Sequence, residues 1–432
     1  MATTSLVQRT SPVSIVSLLL LLASSGSAAA QTPAGLTFIK DIAPILQQKC
    51  EGCHRTGQMA PMPLVTYEDV RPWARAIKSK VVARDMPPWH IDKTVGIRTF
   101  VNDVSLSDEQ IDIIARWVDA GAQRGDPTEL DLPPPRVWPS GERWRLGDLL
   151  GRPPDHIVKS TPWTQPADGP DQWWQPIVDS ELAEDRWIRA VEVRPTLDGR
   201  RVVHHGNARE LVEYAVGKPG QIYSENTGQR MRAGMRVRFD IHYHSVGEEI
   251  TDFLTVGLWF YPKDEVPKYE VKHARMGSSM SDLDIPPGMI TKHQGFTPLT
   301  APTKILSYQP HMHIRGKAMS LEAVYPDGRV EMLSHVANFN FNWHINYVYA
   351  DDVAPLLPKG TLIRVTAWHD NTASNRANPD PTQWVGWGQR SYDEMYHAHV
   401  WYVELEQDDY DDLVEERLRS TRANDQERRP AP

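Results

Sequence analysis

Cysteine is almost absent from this chain of 432 residues: its two cysteines, Cys50 and Cys53, stand three positions apart. Both belong to one short motif, so no thiol is left for the disulfides that staple many exported proteins. An excess of basic residues is also lacking, because the formal net charge is −9. Proteins that bind nucleic acid carry a basic footprint, so the charge argues against a nucleic-acid partner.

Long apolar runs are scarce, and the clearest one lies near the N-terminus. It covers Val13–Ala23, follows Arg9 and precedes the small residues Ala28–Ala30. A bilayer span needs about 20 apolar residues, so this run is too short for a membrane anchor, which is the alternative. It fits a secretory signal with a cleavage site before Gln31. We therefore expect residues 1–30 to be a signal peptide, and the mature protein to be periplasmic or secreted without a membrane span.

The two cysteines form the sequence Cys50-Glu51-Gly52-Cys53-His54, which is the C-x-x-C-H pattern of covalent haem attachment. One helical turn lets both sulfurs reach the vinyl groups, and the next residue points its imidazole at the iron. A redox Cys-x-x-Cys pair needs no following histidine, and a zinc site would want four ligands. The motif therefore predicts haem c, with Cys50 and Cys53 as anchors and His54 as an iron ligand.

Two helices are expected around this motif. One covers Phe38–Gln48, and the other covers residues 107–120, where Ser107 and Gln110 fit a capping box. This part of the chain resembles a small class I cytochrome c. The resemblance implies an all-α domain over residues 31–126.

The sixth iron ligand is expected to be Met86, which lies after the haem motif and before the final helix. A methionine thioether raises the haem potential and suits electron transfer. Met59, Met62 and His90 are rivals for this position. The alternative is that Met86 is a core or loop methionine.

The rest of the chain favours β structure. Residues 127–180 are rich in proline and suggest a linker or entry segment, and residues 408–432 form a charged tail that could end as a frayed helix. Between them, short alternating apolar runs separated by turn residues predict all-β sandwiches. Asp198-Gly199 and Asp327-Gly328 are hairpin signals. The strands expected are Trp187–Val193, Met235–Tyr243, Leu254–Tyr261, Leu321–Tyr325 and Leu362–Trp368.

Histidine is concentrated in this β half. The pairs are His204-His205, His242-x-His244, His311-x-His313 and His397-x-His399. Residues i and i+2 of a strand share a face, so a His-x-His pair can offer two imidazoles to one metal ion. One such pair is usually a polar surface face, but their recurrence favours metal binding.

Two local details bear on these pairs. Adjacent residues of a strand face opposite ways, so His204 and His205 can share an ion only if the chain bends there. Around His242, the run from Val237 to Tyr243 alternates between an apolar face and a polar face that holds His242 and His244. Imidazole suits several metals, whereas thioether selects copper(I), so the late Met395 would point to copper.

The order of these motifs, with His-His, His-Tyr, His-x-His and a late Glu-Met, resembles the copper type II monooxygenases. That family includes peptidylglycine α-hydroxylating monooxygenase and dopamine β-monooxygenase, and the resemblance covers roughly residues 180–405. It implies two β-sandwich domains, at residues 181–270 and 271–407, each holding one copper ion across a solvent-filled cleft. The implied ligands are His204, His205 and His242 for the electron-transfer copper, and His311, His313 and Met395 for the oxygen-activating copper. His244 would then lie outside the ligand set, behind it or facing solvent.

These features together predict an exported haem- and copper-containing monooxygenase that hydroxylates a C–H bond of a small-molecule or peptide substrate with dioxygen. Electrons from a periplasmic donor would pass through the haem. The first alternative is a non-enzymatic electron carrier with a copper-binding β module. The second is a zinc or iron hydrolase whose histidines are grouped differently.

Overall fold

The fold was analysed in a computed structural model of the chain. It describes residues 35–56, 60, 62–126, 128, 144–215, 220–278 and 283–427. The expected signal peptide lies outside these residues. Strands hold 36% of the chain and helices 19%, so the protein is mainly β.

The helices are short except for the last one. They are a π-helical turn Phe38–Ile42 that continues into α1 (Ala43–Lys49), then α2 (Tyr67–Val70) with a 3-10 turn Arg71–Trp73, α3 (Ala74–Val82), α4 (Asp108–Asp119), α5 (Arg145–Leu150) and α6 (Gln407–Glu427). The two helices expected around the haem motif are confirmed, and Ser107 and Gln110 form the reciprocal capping box that starts α4. None of the helices in the described part of the chain combines the length and apolar character needed to cross a membrane.

Twenty-three strands follow in the described part of the chain. They are β1 (His156–Lys159), β2 (Trp163–Gln165), β3 (Gln172–Trp174), β4 (Ile177–Asp179), β5 (Arg186–Arg194), β6 (Val203–Ala208), β7 (Val212–Ala215), β8 (Gly220–Ile222), β9 (Thr227–Met231), β10 (Arg236–Tyr243), β11 (Ile250–Asp252), β12 (Thr255–Phe260), β13 (Tyr269–Met276), β14 (Asp284–Ile285), β15 (Ile290–Pro298), β16 (Thr303–Met312), β17 (Gly316–Val324), β18 (Val330–Val336), β19 (Tyr347–Val348), β20 (Leu356–Leu357), β21 (Leu362–Asp370), β22 (Val385–Gly386) and β23 (Tyr396–Glu404). The five strands expected from the alternating runs all form, as β5, β10, β12, β17 and β21. The expected runs of β10, β12 and β17 extend one residue beyond the observed strands, at Met235, at Leu254 and Tyr261, and at Tyr325.

The strands build two sandwiches that share one sheet. The shared sheet has the order β1-β12-β5-β9-β13-β23-β16-β19, and its two halves meet where β9 and β13 pair in parallel. The first half is covered by the sheet β3-β10-β6-β7, and the second half is covered by β15-β21-β17-β18. The predicted β-sandwich architecture is therefore present, but the two sandwiches are joined through continuous backbone pairing.

Each sandwich has its own apolar core. In the first, Val237, Phe239, Ile241 and Tyr243 of β10 are all fully buried, as their alternation predicts. The opposite face of β10 is therefore free to present His242 outside the core.

The prediction of an all-α cytochrome c domain at the N-terminus is wrong. The helices have a small core of their own, but the segment between α3 and α4 leaves them and packs into the second sandwich. Trp89, Ile91 and Phe100 are buried there, and Ile91 and Phe100 form β-bridges with Val336 and Tyr349. Burial of these three apolar side chains against the second sandwich stabilises that attachment, and from Leu36 onward the chain is one compact unit.

Two smaller expectations had opposite outcomes. Asp327-Gly328 makes the turn between the paired strands β17 and β18, with Gly328 at φ +87°, so this hairpin is confirmed. Asp198-Gly199 instead lies in a 3-10 turn that carries the chain from β5 to β6, which belong to different sheets. That hairpin prediction is wrong.

The proline-rich segment is more ordered than a linker. Residues 129–143 lie outside the described part, but from Trp144 onward the segment forms α5 and β1 to β4. Strand β1 pairs with β12, and strands β3 and β4 pair with β10. The prolines therefore separate short edge strands of the first sandwich, which is where proline is tolerated in sheets.

We predict that Phe100→Ala lowers the free energy of unfolding by about 3–5 kcal/mol, because it removes a buried ring from the aromatic cluster with Trp89, Tyr347 and Tyr349. Chemical denaturation followed by near-UV circular dichroism measures this. Val101→Ala is the matched control, since that neighbour is 68% exposed and should change stability by less than about 0.5 kcal/mol. If Phe100→Ala left the free energy of unfolding unchanged, the segment that carries Phe100 would not be part of the β core.

Candidate metal centres

The first candidate centre lies on neighbouring strands of the first sandwich. His205 of β6 stands opposite His242 of β10, and the next pair in register is Val203 with Tyr243. His204 is therefore the extra residue of a β-bulge, which bends the strand and redirects the side chain. This is the bend that adjacent histidines need in order to face one ion.

The three imidazoles of this centre converge. One nitrogen from each of His204, His205 and His242 lies within 4.8 Å of the others, and the Nδ1 atoms of His204 and His205 are 3.0 Å apart. The ring centroids are separated by 5.0–5.3 Å. The structure thus brings together the three side chains that the resemblance implied for one copper ion.

Asp171 fixes the orientation of His242. Its carboxylate accepts hydrogen bonds from Nε2 of His242 at 2.8 Å and from Nδ1 of His244 at 2.7 Å, and the His242 bond holds the pKa of Asp171 down at about 2. Trp173 stacks on the His242 ring at 4.7 Å. The Nδ1 atom of His242 is buried and has no hydrogen-bond partner among the described residues. A carboxylate on one nitrogen and a free lone pair on the other is the usual arrangement of a metal-binding histidine.

His244 is not part of this cluster. It is largely exposed and shares Asp171 with His242, so it supports the carboxylate from the solvent side. Burial lowers the pKa of His204 to about 4 and that of His205 well below its ordinary value, so both rings are neutral at neutral pH. A neutral imidazole is the form that binds a metal ion.

The second candidate centre lies on strands β16 and β23. His311 stands opposite His397, and their rings stack at 4.7 Å. His399 shares the face of His397, with their Nε2 atoms 3.1 Å apart, and one nitrogen from each of these three histidines lies within 4.8 Å of the others. The sequence showed His397-x-His399 as a pair but assigned it no ligand role, because only the strand register places it against His311.

His273 extends this centre at its edge. Its Nε2 lies 2.9 Å from Nδ1 of His399, and its ring is stacked on that of His399 at 5.0 Å. A shallow pocket beside these two rings is lined by β23 and by the turn between β6 and β7, including Trp401 and Glu213. No sequence motif marks His273, since it is an isolated histidine on β13.

His313 lies one residue beyond the β16 ladder. It is buried, 5.5 Å from the ring of His311, and its Nδ1 donates to the backbone carbonyl of Asp393 at 3.1 Å. That bond fixes the tautomer and leaves Nε2 as the nitrogen that can accept a metal. Met395 occupies the matching place one residue before the β23 ladder, whose last pair is Met312 with Tyr396.

Glu394 holds this corner together. It is fully buried and accepts the backbone N–H of His313 at 3.0 Å and that of Arg315 at 2.6 Å. Burial raises the pKa of Glu394 to about 8. Glu394 immediately precedes Met395, so its two hydrogen bonds connect the start of β23 to the turn after β16.

The space between the two centres is filled by side chains. The loop from β18 to β19 inserts Phe341 and His344, and the His344 ring lies 5.3 Å from that of His205 and 5.0 Å from that of His311. Phe341 lies 5.1 Å from His204. The resemblance implied a solvent-filled cleft at this place, whereas the structure puts one imidazole in contact with both clusters.

The haem motif forms a tight turn after α1. The backbone N–H groups of Cys53 and His54 both donate to the carbonyl of Cys50, so the motif winds through one helical turn, and neither cysteine forms a disulfide. Nδ1 of His54 donates to the backbone carbonyl of Met62 at 3.1 Å. His54 is thereby held in the tautomer whose Nε2 can bind iron.

The four candidates for the sixth haem ligand have different environments in the structure. Met86 is half-buried in the turn after α3, and Met59 lies outside the described residues. The main chain of Met62 is engaged by His54. His90 is buried against the second sandwich, where its backbone N–H donates to the hydroxyl of Tyr347 at 3.3 Å.

Comparison with known proteins adds little to this geometry. No protein family model matches the chain, and no curated protein matches it significantly. The solved structures that match include the major capsid protein P2 from bacteriophage PM2, with 8% identity and a TM-score of 0.27, over 58% of this chain and 97% of that chain. A TM-score of this size carries no argument about fold or function.

We predict that Asp171→Asn weakens metal binding at the His204, His205 and His242 cluster by about 10–100-fold, since removing the carboxylate behind a metal-binding histidine has that effect. Calorimetric titration with Cu²⁺ measures the change. Asp168→Asn alters an exposed carboxylate three residues away and should leave the affinity unchanged. Equal affinities for the two variants would show that Asp171 does not orient a ligand.

Proposed function

We propose that this protein is an exported monooxygenase that uses copper and a covalent c-type haem to hydroxylate a C–H bond with dioxygen. The observation that carries the proposal is the pair of imidazole clusters at the junction of the two sandwiches, each with a buried ring nitrogen that lacks a hydrogen-bond partner among the described residues. Those nitrogens are Nδ1 of His242 and Nδ1 of His311. Two copper centres would each supply one of the two electrons needed to insert one oxygen atom of dioxygen into a C–H bond and reduce the other to water.

The first cluster fits a copper ion that passes electrons. Its donors are three imidazoles, a set that suits copper as well as zinc. Asp171 and Trp173 fix the orientation of the His242 ring. The residues that would hold this ion are His204, His205 and His242.

The second cluster offers two ligand sets that share His311. The resemblance selects His311, His313 and Met395, and two features support it: the Asp393 carbonyl orients His313, and strand alternation puts Met395 on the same face as His397. The alternative set is His311, His397 and His399. Only the first contains a thioether, which stabilises copper(I), the oxidation state that reacts with dioxygen.

When bound, the two copper ions supply dioxygen activation and one-electron transfer, and the haem supplies further one-electron transfer. The side chains of this chain prepare the site for that chemistry. Phe341 packs against the ring of His204, and a small pocket lies beside His273 and His399 at the edge of the second cluster. We expect a small-molecule or peptide substrate to approach the second centre from this side. His54, anchored on the Met62 carbonyl, is the haem ligand, and Met86 is the proposed ligand on the other side.

We predict that Cys50→Ser combined with Cys53→Ser abolishes covalent haem, because these are the only thiols in the chain. The measurement is haem absorbance that remains with the polypeptide after denaturation, in protein produced with a c-type maturation system. Arg55→Gln, next to the motif but without a role in attachment, should keep the haem. Haem retained covalently in the double variant would overturn the attachment site.

We predict that Met395→Leu removes the sulfur neighbour of reduced copper and stops dioxygen consumption, while the haem spectrum stays unchanged. X-ray absorption at the copper edge and an oxygen electrode measure the two effects. Met289→Leu changes a half-exposed methionine and serves as the control. Full oxygen consumption in Met395→Leu would remove Met395 from the ligand set and leave His311, His397 and His399 as the second centre.

The all-imidazole set favours a second candidate function. Three histidines with an open fourth position are also a zinc site for hydrolysis. Metal analysis of the purified protein separates the possibilities. Two copper ions per haem support the monooxygenase, one or none supports an electron carrier, and zinc in place of copper supports a hydrolase.

A further inference from the structure

A single histidine outside every predicted ligand set lies between the two clusters. His344 is carried by the loop that joins β18 to β19 and is 2% exposed. It is surrounded by the rings of Phe339 and Phe341 on one side and by cluster histidines on the others. No sequence motif singles it out.

Both ring nitrogens of His344 are buried and lack a hydrogen-bond partner in the described part of the chain. A neutral imidazole carries one donor and one acceptor, and buried groups of both kinds are nearly always satisfied. His242 leaves one nitrogen unpaired and is a ligand candidate through that atom. His344 leaves two unpaired, so the same reasoning gives it two ligand atoms.

The spacing of the rings agrees with this reading. Within the first cluster the centroids are 5.0–5.3 Å apart, and within the second they are 4.7–5.8 Å apart. The His344 ring lies 5.3 Å from His205 in the first cluster and 5.0 Å from His311 in the second. His344 therefore stands at the distance from each cluster at which the cluster members stand from one another.

We propose that His344 bridges the two metal centres, binding one copper ion through each ring nitrogen. The first nitrogen donates its lone pair without losing a proton. The second carries the N–H, and its proton is released to solvent when the second Cu–N bond forms. The inference rests on the proposed function in taking copper as the metal, and it adds that electrons pass between the centres through one imidazole rather than across solvent.

The test is electron paramagnetic resonance of the full-length protein loaded with two equivalents of Cu²⁺. An imidazolate bridge couples the two spins, so the wild-type signal should fall well below that of two isolated ions. His344→Gln should restore the full signal, with both ions still bound. His335→Gln is the matched control, because His335 also has a buried unpaired nitrogen, on β18, but lies against Trp368 away from both clusters.

Folding of the variant can be checked separately. His344 makes no side-chain hydrogen bond with the described residues, so His344→Gln removes none, and the metal-free variant should unfold close to the wild type. As a second measurement, calorimetry in buffers of different ionisation enthalpy should show one proton fewer released per chain in His344→Gln than in the wild type when both ions bind.

The outcomes separate the two proposals. A wild-type signal equal to two isolated Cu²⁺ ions, unchanged in His344→Gln, would overturn the bridge and leave the monooxygenase proposal standing. Coupled ions in a protein that consumes no dioxygen would support the bridge and overturn the oxygenase. A wild type that binds no Cu²⁺ would overturn both.

Discussion

The structure depends on the cost of burying imidazoles that have nothing to bond. Each unsatisfied polar atom in a protein interior costs about 1–3 kcal/mol. Four such atoms among the described residues lie close together, on His242, His311 and His344. Metal coordination, as proposed above, would offset this cost by giving the unpaired nitrogens a bonding partner.

The continuous sheet makes this gathering possible. Because β9 and β13 pair in parallel, one continuous sheet runs through both sandwiches, and they are not joined by a linker alone. The two sandwiches therefore cannot separate without breaking backbone hydrogen bonds. Gln309 of β16 adds a buried hydrogen bond to Glu213 of β7 at 2.6 Å, across the same junction. The two histidine clusters, which belong to different sandwiches, are thus held at a fixed separation.

Sequence reasoning recovered what depends on local pattern. The apolar face of β10, the α4 capping box and the need for a bend at His204-His205 are all properties of short segments. The bend appears as a bulge because His204 has no partner opposite it. What depends on register over long separations was not recoverable: nothing in the sequence says that His397 stands across from His311, or that a lone histidine at 344 enters the same space.

The wrong prediction for the N-terminal segment has a related cause. The haem motif and the helices follow local rules, so they were predicted, but helices alone do not say where Trp89, Ile91 and Phe100 are buried. In the structure, these side chains are buried in the core of the second sandwich and not among the helices. Their burial turns an expected separate domain into an attachment to the β core.

That attachment also joins the segment after the proposed haem motif to the loop that carries His344. The backbone N–H of His90 donates to the Tyr347 hydroxyl, three residues after His344. The Asn102 side chain donates to the carbonyl of Asn346 at 2.7 Å and accepts the N–H of Val348 at 3.1 Å. Electron transfer falls steeply with distance, so a haem held by a flexible linker would deliver electrons at varying rates. Hydrogen bonds on both sides of Tyr347 instead fix the segment after Met86 to the base of the loop between the two clusters. The same contacts that contradict a separate helical domain therefore make an intramolecular electron path physically reasonable.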